Sequence, residues 1–437
     1  MKLAFGNEMI DLAALKSETA RVRVLAPDEA ALRHQSELEQ TAAVKQSLTR
    51  PIAGYSLSEW FRNGKNLRLA IIIPDVTRNC STPIYLRVLL KELENLGAKA
   101  QDTTIVVAVG NHRHCTEAEL ERLVGEDIYA RYAVVNHLSR ENLVDLGTTP
   151  SGNRILMNRD IVRADKVLVT GNITYHNFAG FSGGRKSILP GVSGSETILN
   201  NHRLMLKGDR MHEKCQIGIL AGNPIHEDML HAVGLLDPRQ DKLYCLNVVT
   251  NMFGQILTAF CGRLAPVFEA GVAFAESKYK IEVPARGNIV LCSAGGFPYD
   301  INFYQSFKSL YSGSKITAPG GYLFLLAECR DGLGDTEEKF KFWFSKNQSE
   351  IIQELYHQFD VVGQIAYWTK DAQRNFKLFV VTHPANFAQL QSLGLTTIGQ
   401  ETLEQQLNKA LAESGESHIY LAPYANITYL GVNEPAF

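Results

Sequence analysis

The sequence predicts an α/β protein of two domains, each with a mostly parallel sheet flanked by helices, and an active site in the cleft between them. Three observations carry that expectation. At 437 residues the chain is too long for one ordinary core and comfortable for two. Short apolar, β-branched runs alternate with longer amphipathic ones, as in chains that wind helices around parallel strands. Apolar runs also end repeatedly in polar clusters, and open α/β sheets gather ligands at the carboxyl ends of their strands.

Composition narrows the class. Hydrophobic residues make up 45% and charged residues 21%, the mix of a soluble globular chain. Lys+Arg number 44 against Asp+Glu 46, a net charge of −2 with no basic stripe, so phosphate neutralisation on nucleic acid is not expected. Met1–Glu8 turns polar before a secretory core can form, and the longest apolar runs are strand-sized, short of the ~20 residues of a membrane span. The expectation is a cytoplasmic protein with no membrane partner. Its seven cysteines are scattered without a Cys-x-x-Cys pair, the usage of small buried hydrophobes in a reducing compartment.

In chain order, strands are expected at Leu67–Pro74, Thr103–Val109, Ala133–His137, Val167–Thr170, Cys245–Thr250 and Ile256–Phe260. Between them, Pro83–Leu96 carries Leu86, Leu89, Leu90, Leu93 and Leu96 on one helical stripe. Thr116-Glu117-Ala118-Glu119 reads as a capping box opening a helix to Val124. A helix over Pro266–Tyr279 leads to a domain boundary near 283. The alternation then restarts with strands at Ile289–Ser293, Tyr322–Ala327, Phe376–Thr382 and His418–Ala422, and helices at Phe303–Tyr311, Phe340–Tyr356 and Thr402–Ala412. These make domains of 1–283 and 284–416, with a tail from about 417 returning to the first.

Four strand ends run into polar clusters: Asp75-Val76-Thr77-Arg78, Gly110-Asn111-His112-Arg113-His114, Gly171–His176 and Ser293-Ala294-Gly295-Gly296. Three belong to one sheet, and two of those carry histidine, the residue suited to proton transfer near neutral pH. His112 and His176 on separate loops are what a racemase or epimerase needs, one histidine for each face of a substrate. The densest segment is Phe178–Gly191, containing Ser182-Gly183-Gly184-Arg185-Lys186-Ser187. Gly180 stands six residues before Lys186 as in a P-loop, but Arg185 occupies the position where that motif needs glycine. A glycine-rich turn before a lysine suits a phosphate-bearing cofactor, or a covalent attachment through a desolvated amine. In the second domain, Gln305 and Lys308 share a helical face and can offer an amide and a cation to a carboxylate, with Arg78 from the other side.

Together these residues resemble the nickel-pincer lactate racemases and their 2-hydroxyacid racemase or epimerase relatives. The resemblance spans nearly the whole chain. It is most specific in His176–Gly191 with Asn201-His202, and is supported by Asp75-x-Thr77-Arg78, Gly110-x-His112-Arg113, Gly295-Gly296-x-Pro298-x-Asp300 and Tyr304-Gln305-x-x-Lys308. It implies a nickel-pincer nucleotide, a pyridinium dithio-substituted mononucleotide, carried by Lys186 as a thioamide with His202 as the protein ligand to nickel. Asp75, Val76, Thr77, Arg78, Ser182 and Gly184 would line the cofactor. His112 and His176 would be the catalytic acid/base pair, and Arg78, Tyr304, Gln305 and Lys308 would hold the substrate. The implied reaction inverts C2 of a 2-hydroxyacid through a bound 2-oxo acid, and the implied partners are that small molecule and the cofactor-making enzymes.

The chain departs from the family pattern at Val76, where histidine is commoner, and at Asn79 and His114, where proline is commoner. No tryptophan stands in Val361–Ile365, and Trp368 lies just beyond. These changes point to a substrate larger or more hydroxylated than lactate, such as an aldonate. Two other readings compete: a non-catalytic binder of the cofactor or hydroxyacid, which has no use for two acid/base histidines, and a metal-dependent hydrolase or lyase using His112, His114 and His176 as ligands.

Overall fold

The computed structural model describes residues 1–18, 21–62, 67–415 and 418–433. These residues form two compact units, one of Asp28–Met205 with His212–Lys278, the other of Met1–Pro27, Leu206–Met211 and Tyr279–Phe437. Both are α/β, with a parallel-dominated six-stranded sheet flanked by helices.

In the first unit the sheet runs Ile256–Gly262, Leu243–Thr250, Lys166–Asn172, Leu69–Pro74, Thr103–Ala108, Ala133–Asn136. Every pair is parallel except the outer Leu243–Thr250 and Ile256–Gly262. Leu69–Pro74 and Leu243–Thr250 are buried at every position, which is why they read as continuous apolar runs rather than alternating ones. From Leu69–Pro74 the chain builds outward in one direction through Thr103–Ala108 and Ala133–Asn136. It then returns to build the other half from Lys166–Asn172. The switch point therefore lies between Leu69–Pro74 and Lys166–Asn172, and their carboxyl ends deliver Asp75 and Asn172 side by side.

The helices follow the expected stripes. Thr82–Asn95 starts with Pro83 in its first turn and buries Leu86, Leu89, Leu90 and Leu93 against a core that includes Ile71, Ile73, Ile105 and Val107. At Glu117–Val124 the capping box forms, with Thr116 Oγ1 accepting from the Glu119 amide at 3.3 Å and the Glu119 carboxylate accepting from the Thr116 amide at 2.9 Å.

The second unit's sheet is parallel throughout, in the order Thr397–Ile398, Lys377–Val381, Thr317–Leu326, Gly287–Ser293, Ile419–Ala422, Val22–Val24. Ile419–Ala422, expected in a tail returning to the first domain, stands here instead between Gly287–Ser293 and Val22–Val24. It is buried at every position and so needs a neighbour on each edge and cover on both faces. Tyr429–Val432 likewise pairs with Lys280–Val283. Residues 417 and 434–437 of that expected tail lie outside the described residues.

The N-terminal hairpin, Lys2–Phe5 with Glu8–Asp11, belongs to this unit because the cluster after Gly287–Ser293 grips it. Ser293 Oγ donates to Ala4 O at 2.5 Å, the Phe297 amide to Gly6 O at 2.8 Å, and the Gly6 amide to the buried Asp300 carboxylate at 2.6 Å. Gly296, at φ +75°, has no alternative: a Cβ there would lie 2.7 Å from Gly6 O. Of the four polar strand ends, this one builds structure. The helix expected over Phe340–Tyr356 is two helices, Glu337–Phe344 and Gln348–His357, because Asn347 and Glu350 form a capping box that starts the second. Another helix, Val361–Asn375, follows.

The seven cysteines are free and buried. Among the described residues no helix is long and apolar enough to cross a membrane.

Candidate active site

At the switch point, Asp75 leaves its strand and is 4% exposed. Its Oδ1 accepts from the Thr77 amide at 3.0 Å and from Thr77 Oγ1 at 2.5 Å; its Oδ2 lies 2.6 Å from His112 Nδ1. Burial pushes the Asp75 carboxyl up, but the hydrogen bonds from His112 and Thr77, with the charges of His112 and Arg78, outweigh it and hold it below the ordinary value. An ionised Asp75 keeps the His112 proton on Nδ1 and leaves Nε2 as the atom that accepts a proton, on a side chain 53% exposed. The loop bearing His112 is set by Gly110, whose amide donates to Gly191 O at 3.0 Å and ties it to the end of the glycine-rich segment.

That segment is folded around Arg185, which is fully buried. Its guanidinium donates to Ala179 O at 2.8 Å, Gly183 O at 3.4 Å and His226 Nδ1 at 2.9 Å, and lies 4.1 Å from the centroid of the Phe268 ring. Gly183 and Gly184 have φ of +75° and +53°, and a Cβ on Gly184 would press on Phe268 at 3.0 Å. The Gly184 amide is held by Asn247 Oδ1 at 2.7 Å. The turn Gly184–Ser187 then projects Lys186. Burial, with the Arg185 and Arg78 charges, pushes the Lys186 amine well below its ordinary value.

Phe178 joins the remaining groups. Its ring meets His176 edge-on at 4.4 Å and His202 at 5.2 Å, and the Lys186 amine lies 5.4 Å from its centroid. His176 Nδ1 accepts from the Ala179 amide at 3.4 Å, so the neutral ring carries its proton on Nε2, the opposite arrangement to His112. Burial, then the Lys186, Arg78, His202 and Arg185 charges, hold His176 well below the ordinary histidine value. His202 sits on the helix Ser195–Arg203 and donates Nδ1–H to Ile198 O at 2.7 Å, which places its lone pair on Nε2. Burial pushes it down to about 3, with Lys186 and His112 adding to the effect.

The neighbour of His202 explains how that helix is fixed. Asn201 donates to Asp228 Oδ2 at 2.9 Å, and Asp228, 1% exposed, also accepts from Thr149, Ser151 and Asn153. Sequence reasoning assigned no role to Phe178, Arg185 or Asp228. Phe178 and Arg185 lie inside the glycine-rich motif, which was the available signal. Asp228 gives none, since its partners come from a segment far back in the chain.

The other expected residues are placed as follows. Val76 packs against the core and Thr77 is spent on Asp75, while Arg78 is exposed beside them. The Ser182 hydroxyl accepts from the Thr174 amide at 3.1 Å and donates to Asn172 O at 2.7 Å, bracing the loop. In the other unit, Tyr304, Gln305 and Lys308 lie half-buried on the helix Phe303–Ser314, with Lys308 Nζ donating to Gln305 Oε1 at 2.8 Å. Trp368 packs on Tyr311 of that same helix, 5.3 Å between ring centroids. Among the described residues no three His, Cys, Asp or Glu side chains form a group able to hold a metal, so the hydrolase reading has no ligand set.

Four histidines held neutral make stability depend on pH. Burial is the main cause at His137, His176, His202 and His226, the last pushed down to about 4. His137 is committed at both ring nitrogens, donating to Ser193 O and accepting from Asn158 Nδ2. The unfolded chain takes up protons on these rings below about pH 6.5 and the folded chain does not, so stability falls as pH falls through that value. Each such ring contributes a slope of up to ~1.4 kcal/mol per pH unit. The urea midpoint is expected to drop between pH 7 and pH 5, and a flat profile there contradicts the assignment.

Residues 5–214 match the family model of the lactate racemase N-terminal domain, and residues 283–423 that of the lactate racemase C-terminal domain. The lactate racemase of Thermoanaerobacterium thermosaccharolyticum is 34% identical over 327 residues, 74% of either chain. That of Lactiplantibacillus plantarum is 34% identical over 306 residues, 69% of either chain. The solved structure of the lactate racemase apoprotein from Thermoanaerobacterium thermosaccharolyticum matches with a TM-score of 0.84 at 27% identity, covering 98% of this chain and 99% of that one. A Thermotoga maritima protein of 15% identity shares the fold, with a TM-score of 0.64 over 91% of this chain and 98% of its own.

Proposed function

Because the chain belongs to the lactate racemase family, we propose that it is an isomerase that inverts C2 of a 2-hydroxyacid with a nickel-pincer nucleotide held covalently by Lys186. The observation that carries this reading is the convergence on Phe178 of an uncompensated lysine amine, a histidine whose lone pair is on Nε2, and a second histidine in the opposite tautomer to His112.

The residues fit that cofactor. Lys186 offers an amine for the thioamide, and His202 a single imidazole for a metal whose other ligands come with the nucleotide. Among the described residues, Asn172 Oδ1 and Asn201 Oδ1 are buried without a hydrogen-bond partner, and they belong to the strand end and the helix that carry the other proposed groups. Asp75, Val76, Thr77, Arg78, Ser182 and Gly184 are proposed to line it. When bound, the cofactor supplies a carbon that takes hydride from C2 and returns it. His112 Nε2, oriented by Asp75, removes the hydroxyl proton of one enantiomer, and His176 presents Nε2–H to serve the other. Arg78, Tyr304, Gln305 and Lys308 orient the substrate.

The departures at Val76, Asn79 and His114 support a substrate beyond lactate, and the buried free cysteines suit the cytoplasm, where cofactor-making enzymes would load the protein. The test is coproduction with those enzymes, intact mass, then chiral chromatography of lactate and a panel of aldonates. A mononucleotide-sized adduct with C2 inversion of at least one acid is expected. A loaded protein that inverts none is a binder, and the enzymatic reading falls.

A further inference from the structure

Beyond anchoring a cofactor, Lys186 has surroundings that give its bare amine a chemistry of its own. The charged groups that act on it, Arg185 and Arg78, are both cationic, and no carboxylate is among them. The lysine is half-buried, with its amine over the Phe178 ring, and so stays within reach of a small molecule. Arg185 cannot turn away to relieve the repulsion, since two carbonyls, His226 and the Phe268 face hold its guanidinium. An amine held among cations gives up its proton more readily than an ordinary lysine and is the more nucleophilic for it. Arg78, one of the two cations that act on it, can pair with a carboxylate.

We propose that in the cofactor-free chain Lys186 condenses with 2-oxo acids to form an imine. The choice of carbonyl rests on the 2-hydroxyacid reading, because 2-oxo acids are the oxidised counterparts of those substrates. The Lys186 nitrogen attacks the carbonyl carbon, forming the C–N bond. One amine proton passes to the carbonyl oxygen, giving a carbinolamine. The C–O bond then breaks, and the hydroxyl leaves as water with the second amine proton. Amine and ketone become imine and water, with no change in oxidation state. The 2-oxo acid and the cofactor thus compete for one nitrogen, and loading stops while the imine stands.

The experiment incubates cofactor-free protein with pyruvate, traps with borohydride, and reads intact mass and the modified peptide. One adduct on the Lys186 peptide is expected, absent from Lys186→Arg, and at least about tenfold weaker when acetone, which lacks a carboxylate, replaces pyruvate. Arg185→Met should lower the yield at pH 7 by about tenfold, with Arg185→Lys in between. Lys315, whose amine burial pushes down to about 8, is the internal control. An adduct on Lys315, labelling scattered over the lysines, or no adduct in a chain folded by circular dichroism overturns the proposal. A protein that racemises once loaded but forms no imine refutes this inference alone. One that forms the imine but never racemises refutes the functional reading alone.

Discussion

Lys186→Arg is expected to fold, to carry no covalent adduct, and to lose racemisation to background. The arginine has similar reach but no amine to acylate. The loss then approaches the whole enzymatic acceleration, at least about 10⁶-fold, since the cofactor carries the chemistry the chain cannot perform. Folding should survive because Lys186 is half-buried and the hydrogen bonds the structure gives it are backbone ones, its amide to Gly183 O and the Gly191 amide to its carbonyl. Intact mass and chiral chromatography on protein coproduced with the cofactor-making enzymes decide it. A variant that still gains mononucleotide mass removes Lys186 as the anchor.

His112→Ala and His176→Ala are each expected to slow racemisation by about 10²–10⁴-fold, the usual worth of a positioned acid or base. The two should differ in single turnovers, because the structure places their protons on opposite ring nitrogens. His176→Ala, which keeps His112 Nε2 as the base, should still oxidise a single enantiomer to the 2-oxo acid, and His112→Ala, left with Nε2–H on His176, neither. Asp75→Asn should act with His112→Ala, since an amide no longer holds the His112 proton on Nδ1. The double variant should then be little worse than His112→Ala alone. Full activity in either histidine variant removes that residue from the mechanism, and additive losses at 75 and 112 break the couple.

Much of this was legible in the residues. The buried strands read as unbroken apolar runs, the stripe on Thr82–Asn95 and the Thr116–Glu119 capping box formed as the spacing implies, and three of the four polar strand ends belong to one sheet. The fourth also has a structural task. Its glycines and Asp300 have the same composition as a binding loop, and only the arrival of the N-terminal hairpin from almost three hundred residues away shows that they grip backbone. The Ile419–Ala422 strand carries an equivalent ambiguity, because a short apolar run records that it is buried but not which sheet buries it.

Local chemistry was therefore written in the sequence. Periodicity selected helices and strands, and the motif around Lys186 and His202 selected the family. Tertiary structure decided everything that depends on distant partners. It set Asp75 against His112, put Phe178 between His176, His202 and Lys186, and turned Arg185, the residue that spoils a P-loop, into the buried post of its loop. The physical reason is that a tautomer or a depressed amine is a property of desolvation and of neighbouring charges, and those are supplied only when separate strand ends meet at one edge of a sheet.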